Sequence, residues 1–250
     1  MAELPHTPED LLLAFRTHNA TSPRLTWYGP DSERVELSGR VLENWVAKTA
    51  NYLVDELDAE PGNVVAVDLP VHWRSLVWLL ATWAVGATAL PQSPRGHSLG
   101  AESGNHTRLA DVVVTTDPVA GLAASNAGGR LPFIVAVALP ALAMRWVGEL
   151  PGDALDYSGG VRAHSDVFFA GDAPAGDDIA WESGSTTVSF AELLTPAATP
   201  ERILLQAGDG WDAVVPAALS TWAAGGSVVL LDASVEATDH LRSMERVSAG

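Results

Sequence analysis

A strand–helix–strand segment that occurs twice limits this chain to few architectures. The first copy covers residues 61–91 and the second covers 200–232, and each has an apolar strand, a helix with a Thr-Trp pair near its end, and a second apolar strand. In chain order, the predicted strands and helices are 64–69, 72–85, 87–90, 203–205, 211–224 and 228–231. Short, almost wholly apolar strands are typical of a sheet buried on both faces, and such connections favour parallel pairing. The repeat therefore predicts an α/β fold.

The same repeat predicts how the chain is organised. We expect a single domain over residues 1–250, made of two similar parallel-sheet β-α-β halves flanked by helices, at approximately 20–150 and 160–235. A chain of 250 residues, 47% of them hydrophobic, can bury a core of this size.

Charge and composition exclude several classes of protein. A formal net charge of −17 opposes nucleic-acid binding, which needs a basic surface, and disfavours binding to acidic membranes. The absence of cysteine excludes disulfides, a thiolate nucleophile and a cysteine zinc site. The first residues, MAELPHTPEDLLLAF, lack the basic flank of a secretion signal, which predicts a cytoplasmic protein. The apolar stretch 75–91 is interrupted by Gly86, so we interpret it as buried core and expect no membrane insertion.

Four elements are predicted before the first copy. They are a helix over 7–19 capped by Thr7, a hairpin of strands 24–28 and 34–37, and a helix from Ser38 to about Leu57. The predicted buried stripe of the long helix is Val41, Leu42, Trp45, Val46, Ala50 and Leu53. Lys48, the only lysine in the chain, falls on the side predicted to be exposed.

This order of elements resembles the start of the acyl-adenylate-forming enzymes. The residues that carry the likeness are the Pro61-Gly62 turn, Leu69-Pro70, Ala84-Val85-Gly86-Ala87, Ala89-Leu90-Pro91, Pro94 and ADVVVTTD at 110–117. These AMP-dependent synthetases and ligases include acyl-CoA synthetases, peptide-synthetase adenylation domains and luciferases. The resemblance covers roughly residues 7–235. It implies the N-terminal domain of the AMP-dependent synthetase-like fold, truncated so that the lysine-bearing C-terminal domain is absent.

The resemblance also implies a phosphate loop, rich in Ser, Thr and Gly and closed by proline, lysine and glycine. Its first half is matched by Ser183, Gly184, Ser185, Thr186 and Thr187. Amides and hydroxyls of such a loop can hold the phosphates of ATP or AMP. The second half is absent, because VSFA stands at 188–191, and Ser189 is instead predicted to cap a helix with Glu192 at its third position. Residues 183–187 therefore have two interpretations, a phosphate site and an ordinary strand-to-helix turn.

A second glycine turn precedes the helix of the second copy. Gly208 and Gly210 form half of a dinucleotide fingerprint, which lacks its third glycine. This turn and residues 183–187 both follow predicted strands at their carboxyl ends, where α/β sheets bind ligands. Gly208 and Gly210 are therefore predicted to border a bound ligand together with residues 183–187.

Charge argues against the family's reaction in this chain. Adenylate formation builds negative charge on a phosphate, and the resemblance implies lysines from the phosphate loop and the C-terminal domain to offset it. Neither lysine is found within residues 1–250. The sequence, with Arg far ahead of Lys, indicates a degenerate member similar to short bacterial relatives, without ligase activity, that binds a small molecule or a protein partner. Two alternatives stay open: a ligase completed by a separate chain, and an enzyme of another class that uses the strand-end crevice.

Other residues with chemical potential have plain interpretations. His97, Glu102 and His106 do not share one helical face, so no metal site is predicted. His164, Ser165 and Asp166 are adjacent in sequence, unlike the members of a folded triad, and are predicted to be solvated turn residues. The tryptophans of the repeats are predicted in the core or at the interface of a homodimer or with a protein partner: Trp73, Trp78, Trp83, Trp211 and Trp222.

Overall fold

The computed structural model describes residues 4–91, 100–103, 106–126, 131–184 and 186–248. The chain divides into two compact units: unit 1 is Met1–Trp45, Val71–Leu76 and Ala191–Gly250, and unit 2 is Val46–Pro70 and Val77–Phe190. Both units are discontinuous in sequence, whereas the predicted halves are continuous segments, and the assignment of halves at 20–150 and 160–235 stays a prediction.

Helices and strands are interspersed along the described chain. The helices are α1 (Pro8–Thr17), α2 (Gly39–Leu57), α3 (Trp73–Val85), α4 (Pro118–Asn126), α5 (Tyr157–Gly160), α6 (Trp211–Ala223) and α7 (Asp239–Met244). The strands are β1 (Pro23–Tyr28), β2 (Arg34–Ser38), β3 (Val64–Asp68), β4 (Thr88–Pro91), β5 (Gly100–Ser103), β6 (His106–Leu109), β7 (Val112–Thr115), β8 (Phe133–Ala136), β9 (Leu155–Asp156), β10 (Ile179–Ser183), β11 (Thr186–Ser189), β12 (Arg202–Gln206) and β13 (Ser227–Leu231). Among the described residues, no helix is long and apolar enough to cross a membrane.

Unit 2 contains a seven-stranded sheet in the order β11-β10-β4-β3-β7-β8-β9. Its neighbouring strands run parallel except for the edge pair of β10 and β11, which is antiparallel. The strands β3, β4 and β7 are buried along their length apart from Asp68 at the end of β3. Their runs of Val, Ala and Leu therefore form the centre of a sheet that is covered on both faces.

Unit 1 contains a four-stranded sheet in the order β12-β13-β1-β2. The strands β12, β13 and β1 are parallel, and β2 pairs antiparallel with β1, as the predicted hairpin requires. Because the three parallel strands point the same way, the residues that follow them lie at one edge of this sheet.

The predicted repeat is confirmed. In each copy the two strands are direct parallel neighbours, β3 with β4 and β12 with β13. Each intervening helix ends at a glycine with a left-handed backbone, Gly86 at φ +82° and Gly225 at φ +84°. Only glycine adopts this conformation without strain, so it ends a helix and turns the chain into the next strand.

The N-terminal elements agree with their predictions in most respects. Thr7 caps α1 in a reciprocal arrangement, since Thr7 Oγ1 accepts from the Asp10 backbone N–H over 3.1 Å and Asp10 Oδ2 accepts from the Thr7 backbone N–H over 3.0 Å. On α2 the predicted stripe is wrong at Val41, which is 41% exposed. Thr49 is completely buried instead, because its hydroxyl bonds the Tyr157 hydroxyl over 2.8 Å.

Lys48 is half-buried on α2, and its predicted exposure is wrong. Its Nζ donates a hydrogen bond to the backbone carbonyl of His164. The ammonium group therefore serves to hold the segment after α5 against α2 within unit 2.

The tryptophans of both repeats belong to the core of the protein. Trp73, Trp78, Trp83, Trp211 and Trp222 are at most 7% exposed. In unit 2, Trp83 Nε1 donates to the Ala180 carbonyl over 2.8 Å, and in unit 1 Trp222 Nε1 donates to the Arg24 carbonyl over 2.8 Å. The Trp83 and Trp222 indoles combine a large apolar area with a satisfied donor, which explains their place beside sheet strands.

Candidate functional site

Residues 183, 184, 186 and 187 belong to a β-hairpin in unit 2. Ser183 pairs with Thr186, and Glu182 pairs with Thr187, in the antiparallel ladder of β10 and β11. Gly184 occupies the turn at φ +55°, and Ser185 lies outside the described residues. Thr186 and Thr187 are exposed, and no atom lies within 4 Å of the position of a Cβ on Gly184. The turn region therefore leaves Thr186 and Thr187 accessible to a ligand.

The predicted helix after this turn is wrong. Residues 186–189 are strand β11, and residues 190–193 form turns and a bend, so Ser189 caps no helix. The alternation Thr187-Val188-Ser189-Phe190 has the period of a strand, and the antiparallel partner β10 provides the ladder that this segment requires. The sequence element is a strand-to-strand turn rather than a strand-to-helix turn.

Gly208 and Gly210 lie at the carboxyl end of β12 in unit 1. Gly208 is part of a 3-10 turn, Ala207–Asp209, and Gly210 precedes α6 with φ +82°. Gly210 accepts the first helical hydrogen bond, from the Val214 backbone N–H over 3.1 Å. These glycines and residues 183–187 belong to different units, and their sharing of one ligand stays a prediction.

Asp68 and Thr115 meet at the carboxyl edge of the unit 2 sheet, on the neighbouring strands β3 and β7. Thr115 Oγ1 donates to Asp68 Oδ2 over 2.8 Å and accepts from the Asp117 backbone N–H over 2.9 Å. Asp117 Oδ1 in turn accepts from the Ala120 backbone N–H over 3.0 Å and caps α4. Thr115 is completely buried, whereas Asp117 is exposed.

This pair marks the point at which the strand order of the sheet reverses. The chain continues from β3 to β4 on one side and from β7 to β8 on the other. Open α/β sheets bind ligands at such a point, beyond the carboxyl ends of the strands. The sequence reasoning missed Asp68 and Thr115. The available signal was a polar residue at the end of two apolar runs, VVAVD and VVVT.

His72 is a buried, neutral imidazole in unit 1. Burial, followed by the positive charge of Arg74, lowers the pKa of His72 to about 3, although Asp232 acts in the opposite direction. Its Nδ1 accepts from the Arg74 backbone N–H over 3.1 Å, so the single proton of the neutral ring resides on Nε2. The ring lies edge-on to Trp27, with centroids 4.5 Å apart. His72 therefore acts as an aromatic spacer and helix cap rather than as an acid or base near neutral pH.

The remaining metal and triad candidates have the following outcomes. His97 lies outside the described residues, and the described part of the chain holds no group of three or more His, Asp or Glu that could bind a metal. His164 is not the solvated turn residue that was predicted, because its side chain is only 9% exposed. Its ring packs on Tyr52 and its Nδ1 lies 3.2 Å from Asp55 Oδ2, which attaches the segment to α2.

Comparison with known proteins adds a relative in sequence. No protein-family model matches the sequence. A TIGR03089 family protein of Mycobacterium tuberculosis (strain ATCC 25618 / H37Rv) is 35% identical over 214 residues, which are 83% of this chain and 82% of that protein. This chain belongs to the TIGR03089 family.

Solved structures give the fold of this TIGR03089 family chain. A Brucella canis acyl-CoA synthetase matches with a TM-score of 0.73 at 19% identity, over 96% of this chain and 45% of that chain. Streptomyces lividans acetoacetyl-CoA synthetase matches with a TM-score of 0.68 at 18% identity, over 90% of this chain and 38% of that chain. The inhibitor-bound N-terminal domain of FACL13 from Mycobacterium tuberculosis matches with a TM-score of 0.65 at 16% identity, over 97% of this chain and 62% of that chain.

These matches confirm the predicted fold, the N-terminal part of the AMP-dependent synthetase fold. The TIGR03089 family chain spans between 38% and 62% of the length of these solved proteins. At identities below 20% the likeness concerns architecture, and the reaction has to be argued from the residues of this chain.

Proposed function

We propose that this chain binds a small phosphate-bearing ligand at the carboxyl edge of the unit 2 sheet and does not itself form acyl adenylates. The observation that carries the proposal is the hairpin turn at Ser183–Thr187. It offers hydroxyls and an open glycine turn, but it is followed by Val188-Ser189-Phe190-Ala191, which has no cationic side chain. Hydroxyls and amides can bind a phosphate, whereas adenylate formation needs positive charge where negative charge develops.

The positions of four cationic side chains support this division between binding and catalysis. Lys48 on α2, the single lysine, donates a hydrogen bond to the His164 carbonyl. Arg24, Arg34 and Arg202 bind carbonyl and carboxylate oxygens inside unit 1, whereas the hairpin turn belongs to unit 2. These cations stabilise the fold, and each would have to leave its present partner to reach a phosphate.

The second candidate is an AMP-forming ligase in which another polypeptide supplies the cations. The fold match favours it, because the chain covers 45% of the Brucella canis acyl-CoA synthetase, leaving much of that protein without a counterpart here. In this case the hairpin turn at Ser183–Thr187 would hold a nucleotide while the partner contributed charge. The two candidates differ in whether the isolated chain turns over.

We expect no ATP–pyrophosphate exchange by the purified chain. The measurement follows incorporation of labelled pyrophosphate into ATP with Mg²⁺ and panels of short-chain, long-chain and aromatic acids, and the expected rate equals that of the enzyme-free control. The physical reason is that Val188-Ser189-Phe190-Ala191, which follows the turn, carries no ammonium or guanidinium group to offset charge at the α-phosphate. An exchange rate that rises with protein concentration would contradict the proposal. If that exchange were absent in a Thr186→Ala/Thr187→Ala variant, the activity would belong to this chain and not to a contaminating enzyme.

We expect the same double variant, Thr186→Ala/Thr187→Ala, to weaken nucleotide binding. Loss of two hydroxyl hydrogen bonds of about 1 kcal/mol each corresponds to roughly a 10–30-fold rise in the dissociation constant. Isothermal titration with MgATP and with AMP measures it, and Thr17→Ala, an exposed threonine on α1, is the matched control. Equal affinity of the double variant and the unmodified chain, or no measurable binding by either, would contradict the proposed phosphate site. Neither outcome would affect the separate prediction that the chain catalyses no pyrophosphate exchange.

A further inference from the structure

Three aromatic rings of unit 2 form a buried cluster between helices α2, α3 and α5. Tyr52 comes from α2, Trp78 from α3 and Tyr157 from α5, and all three are at most 2% exposed. The ring centroids are 6.3 Å apart for Tyr52 and Trp78, 5.6 Å for Tyr52 and Tyr157, and 4.8 Å for Trp78 and Tyr157. The three rings are therefore in mutual contact.

The polar atoms of this cluster are of two kinds. The Tyr157 hydroxyl is satisfied, because it shares a hydrogen bond of 2.8 Å with Thr49 Oγ1. The Tyr52 hydroxyl, Trp78 Nε1 and Ser158 Oγ are equally enclosed, but none of them has a hydrogen-bond partner among the described residues. A buried polar group without a partner costs about 1–3 kcal/mol, so three in one cluster would be a heavy penalty.

The residues that carry these three groups belong to one set of packed side chains. Tyr52 contacts both Trp78 and Tyr157, and Ser158 directly follows Tyr157 in α5. The last residue of α5, Gly160, lies so close that a Cβ there would be 3.0 Å from Tyr52 Cε2. Glycine at this position lets α5 approach the Tyr52 ring closely.

Charge and donor count restrict what could satisfy them. Burial, reinforced by the carboxylates of Glu56 and Asp156 and by Tyr157, raises the pKa of Tyr52, so its hydroxyl keeps its proton. The side chains around Tyr52 also include His164, whose ring lies 5.3 Å away and which is itself flanked by Asp55 and Glu56. Nearby carboxylates disfavour an anion, and the indole and hydroxyl donors disfavour a cation. A small neutral molecule that both donates and accepts hydrogen bonds fits the site.

We propose that this cluster is an internal hydration site, in which buried water bridges the Tyr52 hydroxyl, Trp78 Nε1 and the Ser158 hydroxyl. Buried waters in proteins typically make about three hydrogen bonds to polar groups that lack protein partners, which is the number of groups available here. The indole donates to the water, and the two hydroxyls donate or accept as required. The water thereby connects α2, α3 and α5, which share no direct polar contact through these three atoms.

Removal of the Tyr52 and Ser158 hydroxyls tests the site, because the urea midpoint should fall if water bridges them and should not fall if they lack partners. If water bridges them, Tyr52→Phe and Ser158→Ala each lower the urea midpoint by roughly 0.3–0.5 M, and the double variant loses less than the sum. If the atoms lack partners, each substitution removes an unsatisfied group and leaves the midpoint unchanged or raises it. An unchanged or higher midpoint overturns the proposal, and additive losses overturn the bridge between the two hydroxyls.

A matched control and a direct measurement accompany this test. Tyr157→Phe removes a hydroxyl that bonds Thr49, so it lowers the midpoint in either case and shows that the assay detects one lost bond. In the unmodified protein, a water nuclear Overhauser effect to the Trp78 indole proton is expected, with a sign that indicates a long-lived water. Its absence overturns the proposal even if a variant fails to fold.

Discussion

Replacement of Trp222 by alanine is expected to lower the free energy of unfolding by about 3–5 kcal/mol, the cost of deleting a large aromatic side chain from a packed core. Trp222 is 2% exposed on α6, and its ring lies edge-on to Phe15 of α1 with centroids 5.8 Å apart. Its indole N–H also donates to the Arg24 carbonyl on β1 over 2.8 Å. The alanine variant therefore loses apolar contact and leaves a buried carbonyl without its donor.

The effect should extend to the buried guanidinium of Arg24. That group donates to the Gly226 carbonyl over 3.0 Å and to the His18 carbonyl over 2.9 Å, and it also bonds the Gly225 carbonyl. It thereby joins the ends of α1 and α6 to β1. Because burial lowers the pKa of Arg24, the charged group depends on these carbonyls in place of water, and loosening α6 exposes it.

Urea unfolding followed by far-ultraviolet circular dichroism measures this loss. Trp146→Ala is the matched control, since Trp146 is half-buried in a loop, where its Nε1 bonds only the nearby Glu149 carbonyl over 3.2 Å. The control should lose no more than roughly 1 kcal/mol. An equal loss of unfolding free energy in Trp222→Ala and Trp146→Ala would contradict the role of Trp222 in joining α6 to α1 and β1.

Replacement of Arg202 by alanine is expected to cost about 2–3 kcal/mol, between the roughly 0–1 kcal/mol of exposed ion pairs and the 3–5 kcal/mol of buried ones. Arg202 on β12 binds the Glu245 carboxylate, and its Nε donates to the Glu245 carbonyl over 2.7 Å. It also donates to Thr26 Oγ1 over 3.0 Å and to Ser227 Oγ over 3.1 Å. One side chain thus joins three strands to the residue that follows α7.

The Glu245 carboxylate makes this connection sensitive to acid. Burial alone would raise the pKa of Glu245, but hydrogen bonds from Tyr28, Arg202 and Arg34 outweigh it and lower the pKa below its ordinary value. A carboxyl whose pKa is lower in the folded state stabilises the fold above its unfolded pKa. That contribution disappears as the pH falls through the folded pKa. The unfolding free energy of the native chain should therefore exceed that of Glu245→Gln fully at about pH 6 and by a shrinking margin below about pH 4.

Urea titrations of Arg202→Ala and Glu245→Gln across this pH range give both quantities. Arg242→Ala, an exposed arginine on α7, controls for the loss of one positive charge in a chain of net charge −17. A difference between native chain and Glu245→Gln that stays constant from about pH 6 to about pH 3 would contradict the assigned role of the carboxylate.

Sequence reasoning succeeded where the signal was local or periodic. The Thr7 cap, the hairpin of β1 and β2 and the two β-α-β copies are encoded by residues a few positions apart, and the structure confirms them. It failed where a distant partner decided the outcome. Ser189 and Glu192 have the spacing of a helix cap, but the segment 186–189 pairs with β10 and becomes a strand.

The candidate site divides in the same way. The Ser, Thr and Gly composition of residues 183–187 was visible in the sequence, and so were the glycines at 208 and 210. The bond between Thr115 and Asp68 was not, because these residues are 47 positions apart and meet only when β3 and β7 become neighbours. Likewise, periodicity placed Lys48 on the outer side of α2, whereas the segment after α5 returns to cover it.

The amino-acid sequence by itself determined the fold class, the repeated β-α-β layout and the presence of a single lysine. Periodicity, turn residues and charge count are properties of neighbouring positions, so they can be read without coordinates. Only the tertiary structure decided that Asp68 meets Thr115, that Arg202 binds Glu245, and that Tyr52, Trp78 and Ser158 share one enclosed cluster. Those contacts depend on strand order and helix packing, which bring together residues that are far apart in the chain.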